Sequence, residues 1–529
     1  MSISFRGIRP EFETIPQLLR KRAATHGDVA LTVCNERRDF AALDQLSDDL
    51  ARGLASRGIS RGDRIAILMP NCIEQALLWF AAAKLGAIAA PLNLALGPVD
   101  LAYSIADVGP AMLVADDVGL RSLEKIDSAA LKGMCIVSAS TTQTPGTIPM
   151  PELYLKTGAA LRSTSNPGDT CCIIYTGGTT GMPKGVQLSH FYYIVAAYRW
   201  AEAFAVTPQD HHYSVLQFYH IGIRSNAIIS PLVNGYSSTI DRWFSVSNYW
   251  SRVRETGATI IDPMGTMFTL LYQQPPSPLD KAHKARAAWG ATAMLPPGIA
   301  SGFAERFGVH LVPTFGGTEV GGSAVVNTPI GAPHREGTNG RANGWCELQI
   351  VDDNDCPLPV DTVGQIVVRP TIPFSMMNGY HNAAARTVEC WRNLWFHTGD
   401  LGSLDSEGYL SFVGRQAHWL RRRSENISAY EVESAIAAHP LVKEVIVVGV
   451  PSELGEDEVK AFVLPAAGAE LTPAAIVQWC EQRLAKFKVP RFIEFVSDFP
   501  RSAAKQEIER HKLKAMSNAA AWDRQRVGV

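Results

Sequence analysis

The sequence predicts an α/β fold: a large N-terminal domain of layered βαβ subdomains plus a distorted β-barrel, and a small α+β C-terminal domain. Three observations lead there. With 529 residues the chain is too long for a single hydrophobic core, and roughly two to four domains or subdomains are expected. Helix and strand patterns alternate from residue 14 to 110, which indicates βαβ units and a largely parallel sheet. The C-terminal stretch of about 110 residues mixes capped helices with apolar strands, as a compact small domain would.

Composition narrows the class further. The chain is 46% hydrophobic and 19% charged, as ordinary globular proteins are. A formal net charge of −2 argues against a nucleic-acid partner, which calls for a basic excess. Nine cysteines are scattered, with Cys171 and Cys172 adjacent and no CxxC or His-rich spacing. Neither a disulfide framework nor a structural zinc site is expected, and a reducing, cytoplasmic compartment is the default. The N-terminus, Met1-Ser2-Ile3-Ser4-Phe5-Arg6, lacks an apolar signal core, and no run of about 18 apolar residues suggests a membrane span.

In chain order, Ser47 precedes Asp48-Asp49 and the apolar positions Leu50, Leu54 and Ile59, so it is expected to cap a helix that Gly58 stops. Arg64 to Met69 reads as a strand, Glu74 to Leu85 as a helix apolar on most sides and hence buried, and Ile88 to Leu92 as a second strand. Ser138 to Pro151, rich in Ser, Thr and Pro, reads as an exposed connection. Cys171-Cys172-Ile173-Ile174-Tyr175 is a short buried strand feeding the loop Thr176-Gly177-Gly178-Thr179-Thr180-Gly181-Met182-Pro183-Lys184-Gly185. Such a loop can aim backbone N–H groups and hydroxyls at phosphate oxygens, and Lys184 adds a positive charge. It is not a Walker loop, in which Gly precedes the lysine and Ser or Thr follows it; here Pro183 precedes and Gly185 follows. Residues 191 to 250 are dense in aromatics, for which core packing is the plain explanation. Cys346 to Val351 and Gly364 to Arg369 alternate like half-buried strands, consistent with a small barrel or distorted sheet. Ser428-Ala429-Tyr430-Glu431 forms a capping box for a helix from Tyr430 to Ala438. Val442 to Val450 and Val459 to Leu464 read as strands, and Thr472-Pro473 opens another helix.

The stretch Tyr175 to Val186 closely resembles the phosphate-loop signature of adenylate-forming enzymes, the superfamily of acyl-CoA synthetases, peptide-synthetase adenylation domains and firefly luciferases. Further motifs carry the same resemblance: Leu216-Gln217-Phe218-Tyr219-His220-Ile221-Gly222, Trp289-Gly290-Ala291-Thr292, Thr314-Phe315-Gly316-Gly317-Thr318-Glu319, Trp395-Phe396-His397-Thr398-Gly399-Asp400, and Gly414-Arg415. The resemblance spans about residues 10 to 515 and implies roles position by position. Thr176, Gly177, Gly178, Thr179, Thr180 and Lys184 would hold phosphates. Phe315 and Gly316 would border adenine, Thr318 would bond the α-phosphate or carboxylate, and Glu319 would hold Mg2+. Asp400 and Arg415 would hold the ribose, and Tyr219, His220, Gly290 and Ala291 would wall the acid's pocket. It also implies a domain of residues 1–414 and a mobile one of residues 415–529 that rotates about a hinge near Ala417.

The C-terminal part departs from the family pattern. The loop that lines the pantetheine channel normally carries glycine; here it reads Arg421-Arg422-Arg423-Ser424, four candidates for CoA phosphates or simply a solvated charged loop. The family's adenylation lysine has no clean counterpart. Counting from Pro500 its place holds Gln506, counting back from His511 it holds Glu507, and Lys505 is one or two residues off. The resulting expectation is an acyl-CoA ligase that acts on a carboxylic acid, bulky or apolar, with ATP or acyl-AMP, CoA and Mg2+. The displaced lysine points to a non-adenylating form that takes preformed acyl-AMP from a separate adenylating enzyme. The alternatives are a complete ATP-dependent synthetase using Lys505, a stand-alone adenylation enzyme loading a carrier protein, and a non-catalytic adenylate-binding paralogue. Arg224 is expected at the surface, with a role as a cation for a polar group on the acid as its alternative.

Overall fold

The computed structural model describes residues 10–26, 29–140, 144–158, 161, 163–178, 181–290, 295, 298–332, 335, 337–342, 344–415, 419–422, 425–451, 457–486, 488–501 and 508–527. The chain divides into two compact units. One comprises Met1–Thr292, Ala304–Leu348 and Val368–Phe396; the other comprises Ala293–Phe303, Gln349–Val367 and His397–Val529.

The first unit carries two eight-stranded sheets. In one, Arg64–Leu68 pairs in parallel with Ile88–Pro91 and Met112–Ala115, and the antiparallel hairpin Thr170–Gly178/Gly181–Ser189 extends the sheet. In the other, His211–Ser214 lies between Ser237–Ile240 and Ile260–Ile261, all parallel. Crossover helices connect these parallel strands, as the alternating pattern predicts. The helix Ile73–Leu85 is buried on almost every side, as its uniformly apolar sequence requires. Its last turn buries Lys84, whose Nζ is 2.6 Å from both Asp44 and Asp48, so the one buried cation there is paired.

Two local expectations change. The preceding helix runs from Phe40 to Ser56 and is capped by Asp39, which accepts from the Ala42 N–H at 2.7 Å. Ser47 is therefore a buried interior residue that donates to Leu43 O, because Phe40 and Leu43 extend the apolar stripe one further turn upstream. The Ser138–Pro151 region is not all exposed connection: Ile148–Pro149 pairs in parallel with Ile136–Ser138.

The predicted barrel is an open five-stranded sheet. Cys346–Val351, Gly364–Pro370, Trp395–Leu404 and Trp391–Arg392 lie in that order, with Leu410–Arg415 beside Trp395–Leu404. Its alternation reflects one buried face, and this does not require closure. Toward the C-terminus, a four-stranded sheet orders Val442–Pro451, Asp457–Pro465, Phe492–Phe495 and Trp522–Asp523. Alternate residues of its strands separate two cores. Val445, Val447, Val459, Ala461 and Val463 pack with Val432, Ile436, Ile476 and Val477 of the helices Ala429–Ala437 and Pro473–Glu481. Ile446, Val448, Phe462 and Leu464 face the other way, onto Phe499 and Leu513. Ser428 and Thr472 cap the two helices as their sequences predict.

Candidate active site

Most of the expected phosphate loop is strand: Thr176 to Gly178 and Gly181 to Gly185 belong to the two paired strands Thr170–Gly178 and Gly181–Ser189. In the hairpin register Thr176 lies opposite Lys184 and Tyr175 opposite Gly185. Of the expected phosphate-holding residues, Thr179 and Thr180 lie outside the described residues, and Gly177 and Gly178 close the first strand of the hairpin. The root of the hairpin is fixed: Tyr175 Oη donates to Asp107 Oδ2 at 2.6 Å. Burial and that carboxylate push the Tyr175 phenol well above its ordinary range, so it remains a donor.

A second segment meets the hairpin. The strand His310–Gly317 carries Phe315 and Gly316 and leads into Thr318-Glu319. Glu319 Oε1 accepts from Thr176 Oγ1 at 3.3 Å and from Tyr380 Oη at 3.1 Å. Lys184 Nζ lies 5.7 Å from the Tyr380 ring centroid. Thr176, Lys184, Tyr380 and Glu319 thus form one patch of hydroxyls, a cation and a carboxylate. The helix His190–Phe204, which begins where the hairpin ends, braces the same turn. Tyr192 Oη donates to Thr318 O at 2.8 Å, and the fully buried Arg199 donates to Gly321 O. Gly321 adopts φ +109°, and a Cβ there would lie 2.6 Å from Arg199 Nη2 and 2.8 Å from Ser375 O. Only glycine fits.

The Leu216–Gly222 motif is tied down by the buried Asn71. Its Nδ2 donates to Leu216 O at 2.8 Å and its Oδ1 accepts from Phe218 N at 2.9 Å. His220 Nδ1 accepts from Gly222 N at 3.1 Å, which leaves the ring proton on Nε2 when the imidazole is neutral. A Cβ on Gly222 would meet both His220 and Trp289 at 3.1 Å, and one on Gly290 would lie 2.2 Å from the Phe268 ring. The expected wall residues His220 and Gly290 thus belong to a tightly closed cluster around Trp289. Tyr219 is half-buried, and burial raises its phenol to about 12. Ala291 lies outside the described residues. Arg224 is not on the surface. It is fully buried, its Nε donates to Phe218 O at 2.7 Å, and its guanidinium lies 4.6 Å from the Trp79 ring centroid.

In the other unit, Asp400 and Arg415 face each other across neighbouring strands, with Arg415 Nε 3.3 Å from Asp400 Oδ1. Thr398 Oγ1 accepts from Asp400 N at 3.0 Å and donates to Ile366 O at 2.7 Å, which fixes the turn that presents the carboxylate.

Residues 19–381 match the AMP-binding enzyme family, and residues 431–505 match the AMP-binding enzyme C-terminal domain. The chain belongs to the AMP-binding enzyme family. It is similar to the crotonobetaine/carnitine–CoA ligase of Salmonella enteritidis PT4, 30% identical over 480 residues, covering 89% of this chain and 92% of that one. Among solved structures it resembles the O-succinylbenzoate coenzyme A synthetase of Bacillus subtilis in complex with AMP. That likeness has 26% identity and a TM-score of 0.80, covering 95% of this chain and 98% of that one. The ATP-bound MatB of Rhodopseudomonas palustris is similar at 25% identity and a TM-score of 0.85, with coverage of 95% and 98%. This AMP-binding enzyme is accordingly an acyl-CoA ligase of the adenylate-forming superfamily.

The C-terminal candidates of this AMP-binding enzyme fare differently. Arg422 is not a solvent-facing CoA cation. It is 4% exposed, and its Nε lies 2.7 Å from Glu458, so its charge is spent inside the second unit. The Arg421 side chain, Arg423, Ser424, the hinge residue Ala417, and Lys505, Gln506 and Glu507 all lie outside the described residues. Sequence reading missed Tyr380, Tyr192, Arg199 and Asn71. All four lie within residues 19–381, the stretch that matches the family, and nothing local to any of them signals the contact it makes.

Proposed function

We propose that this ligase is a complete ATP-dependent acyl-CoA synthetase for a carboxylic acid. The observation that carries the proposal is the Thr176–Glu319 hydrogen bond, which joins the phosphate hairpin, where Thr176 lies opposite Lys184, to the Glu319 carboxylate. Such a patch serves a triphosphate and its cation; a protein that only accepted acyl-AMP has no pyrophosphate to hold.

The donor chemistry fits Mg2+. Among the described residues no group of three His, Cys, Asp or Glu could hold a metal alone. A cation here would rest on Glu319 plus phosphate oxygens and water, the hard-oxygen arrangement Mg2+ prefers. When bound, it neutralises charge on the phosphate oxygens.

In the first half-reaction an oxygen of the acid's carboxylate attacks the α-phosphorus, the bond to the bridging α–β oxygen breaks, and pyrophosphate leaves. Lys184 binds the phosphates, the Thr176 hydroxyl holds Glu319 beside them, and Thr318 orients the α-phosphate or the carboxylate. Asp400 accepts hydrogen bonds from the ribose hydroxyls, with Arg415 beside it. In the second half-reaction the CoA thiolate attacks the acyl carbon, the bond to the phosphate oxygen breaks, and AMP leaves; the thiol's proton passes to solvent. His220, Tyr219 and Gly290 wall the acid.

One observation favours a second reading. Where the family places its adenylation lysine, this chain has Gln506 or Glu507, with Lys505 displaced. Losing a positioned cation in that step would cost roughly 3 kcal/mol, about 10²-fold in rate. The protein would then join CoA to acyl-AMP supplied by another enzyme. Two assays separate the readings: pyrophosphate release from ATP, acid and CoA, and thioester formation from synthetic acyl-AMP and CoA. Robust activity in both supports the complete synthetase. Thioester formation with no pyrophosphate release replaces it with the split reaction, and silence in both removes the ligase mechanism proposed here.

A further inference from the structure

We propose that Tyr380 is the positioning residue for Glu319, holding one carboxylate oxygen so that the other is presented to the divalent cation. This rests on the reading of Glu319 given above. The short segment Met377–Tyr380 grips Glu319 at both ends. Met377 N donates to Glu319 O at 3.0 Å, and Tyr380 Oη donates to Glu319 Oε1 at 3.1 Å. Thr176 Oγ1 donates to the same Oε1 at 3.3 Å. Two donors on one oxygen fix the plane of the carboxylate and leave Oε2 as the oxygen for a cation.

Tyr380 is itself held from three directions. Gly379 and Tyr380 form a two-residue strand that pairs antiparallel with the hairpin, Tyr380 opposite Val186. Tyr380 N donates to Thr387 Oγ1 at 2.9 Å, and the next residue, His381, donates its N–H to Gly185 O at 2.7 Å. The phenol is therefore set by the same strand that carries Lys184. Tyr380 is 8% exposed, so its hydroxyl meets Glu319 largely shielded from water. Hydrogen-bond partners of a ligating carboxylate typically govern metal affinity by about 10–100-fold when removed. Tyr380→Phe removes only the hydroxyl and keeps the ring over which Lys184 lies.

The test uses the full chain and Mn2+ as the probe, titrated by electron paramagnetic resonance in the presence of ATP. AMP binding without any divalent cation is measured in parallel by calorimetry. For Tyr380→Phe the Mn2+ Kd is expected to rise about 10–100-fold, with the AMP Kd within about threefold of wild type. Placing 4-aminophenylalanine at 380, which restores an N–H donor, is expected to return the Mn2+ Kd to near the wild-type value. An unchanged Mn2+ Kd in Tyr380→Phe overturns the proposal. So does loss of AMP binding as well, unrescued by the amino analogue, because the residue would then merely support the fold. Wild-type protein that binds no Mn2+ with ATP would overturn the reading of Glu319 first, a result distinct from either.

Discussion

Gly321→Ala tests whether the turn after Glu319 is set by the helix that follows the phosphate hairpin. Alanine at φ +109° occupies backbone space that L side chains avoid, at a cost of about 1–3 kcal/mol. The new methyl would lie 2.6 Å from Arg199 Nη2, 2.8 Å from Nη1 and 2.8 Å from Ser375 O. None of these yields readily: Ser375 O is backbone, and Arg199 is fully buried and bonded to Gly321 O. Overpacking of this kind adds about 1–3 kcal/mol. The chain relieves part of the total by shifting the turn, and Thr318 and Glu319 shift with it. A displacement near 1 Å costs on the order of 10²-fold in rate even away from the reacting atoms. The assay is thioester formation under kcat/KM conditions, paired with a urea unfolding midpoint. The expected outcome is a loss of kcat/KM of about 10²-fold with a measurably lower midpoint. A variant with kcat/KM within about threefold of wild type, at any midpoint, would refute the idea that this turn aims Glu319.

Three further outcomes are expected. Tyr192→Phe strands the buried Thr318 carbonyl at a cost of about 1–3 kcal/mol. It should lower kcat about tenfold or more while leaving KM for the acid nearly unchanged, and equal kcat would remove Tyr192 from the brace. Asp400→Asn should leave the unfolding midpoint within error, because its partner Arg415 is half-exposed and such pairs contribute at most about 1 kcal/mol. KM for ATP should rise about tenfold or more, since an amide has one acceptor oxygen for two ribose hydroxyls, and an unchanged KM would take the ribose role from Asp400. His190 is buried, which lowers its pKa from 6.5 to about 4. The unfolded chain therefore binds the extra proton first, so stability is fully present above pH 6.5 and is lost as pH falls toward about 4. About 2 kcal/mol should disappear between pH 7.5 and 5, seen as a falling urea midpoint that His190→Asn flattens; a midpoint equally pH-dependent in that variant would assign the loss elsewhere.

The legible parts of this molecule are those whose physics is local. The Ser428 and Thr472 caps, the wholly apolar helix Ile73–Leu85 and the strand leading to Thr176 each announce themselves within a few residues. The contacts that aim the site do not. Tyr380 reaches Glu319 across 61 residues of chain, Arg199 reaches Gly321 across 122, and Tyr192 reaches Thr318 across 126. No periodicity or spacing rule connects residues that far apart. The two arginine misreadings share one cause. A charged residue is exposed by default, but Arg224 is sheltered by the Phe218 carbonyl and the Trp79 ring, and Arg422 by Glu458. Those partners become visible only when the strands are assembled.

The same contrast between local and distributed signals separates the residues proposed to hold the nucleotide from those proposed to wall the acid. The phosphate hairpin, Thr318-Glu319 and Asp400, the proposed nucleotide residues, each sit in a contiguous motif. The residues proposed to wall the acid come from the Leu216–Gly222 segment and Trp289-Gly290, packed so closely that side chains on Gly222 or Gly290 would collide with their neighbours. Similar proteins keep one scaffold, with TM-scores of 0.80 and 0.85 at 26% and 25% identity, while their names carry different acids or none. In this chain the Leu216–Gly222 segment is further pinned from behind by Asn71 and by the buried Arg224. With the acid placed against that segment as proposed, its selectivity depends on Asn71 and Arg224, which hold the wall from behind, as well as on the wall residues themselves.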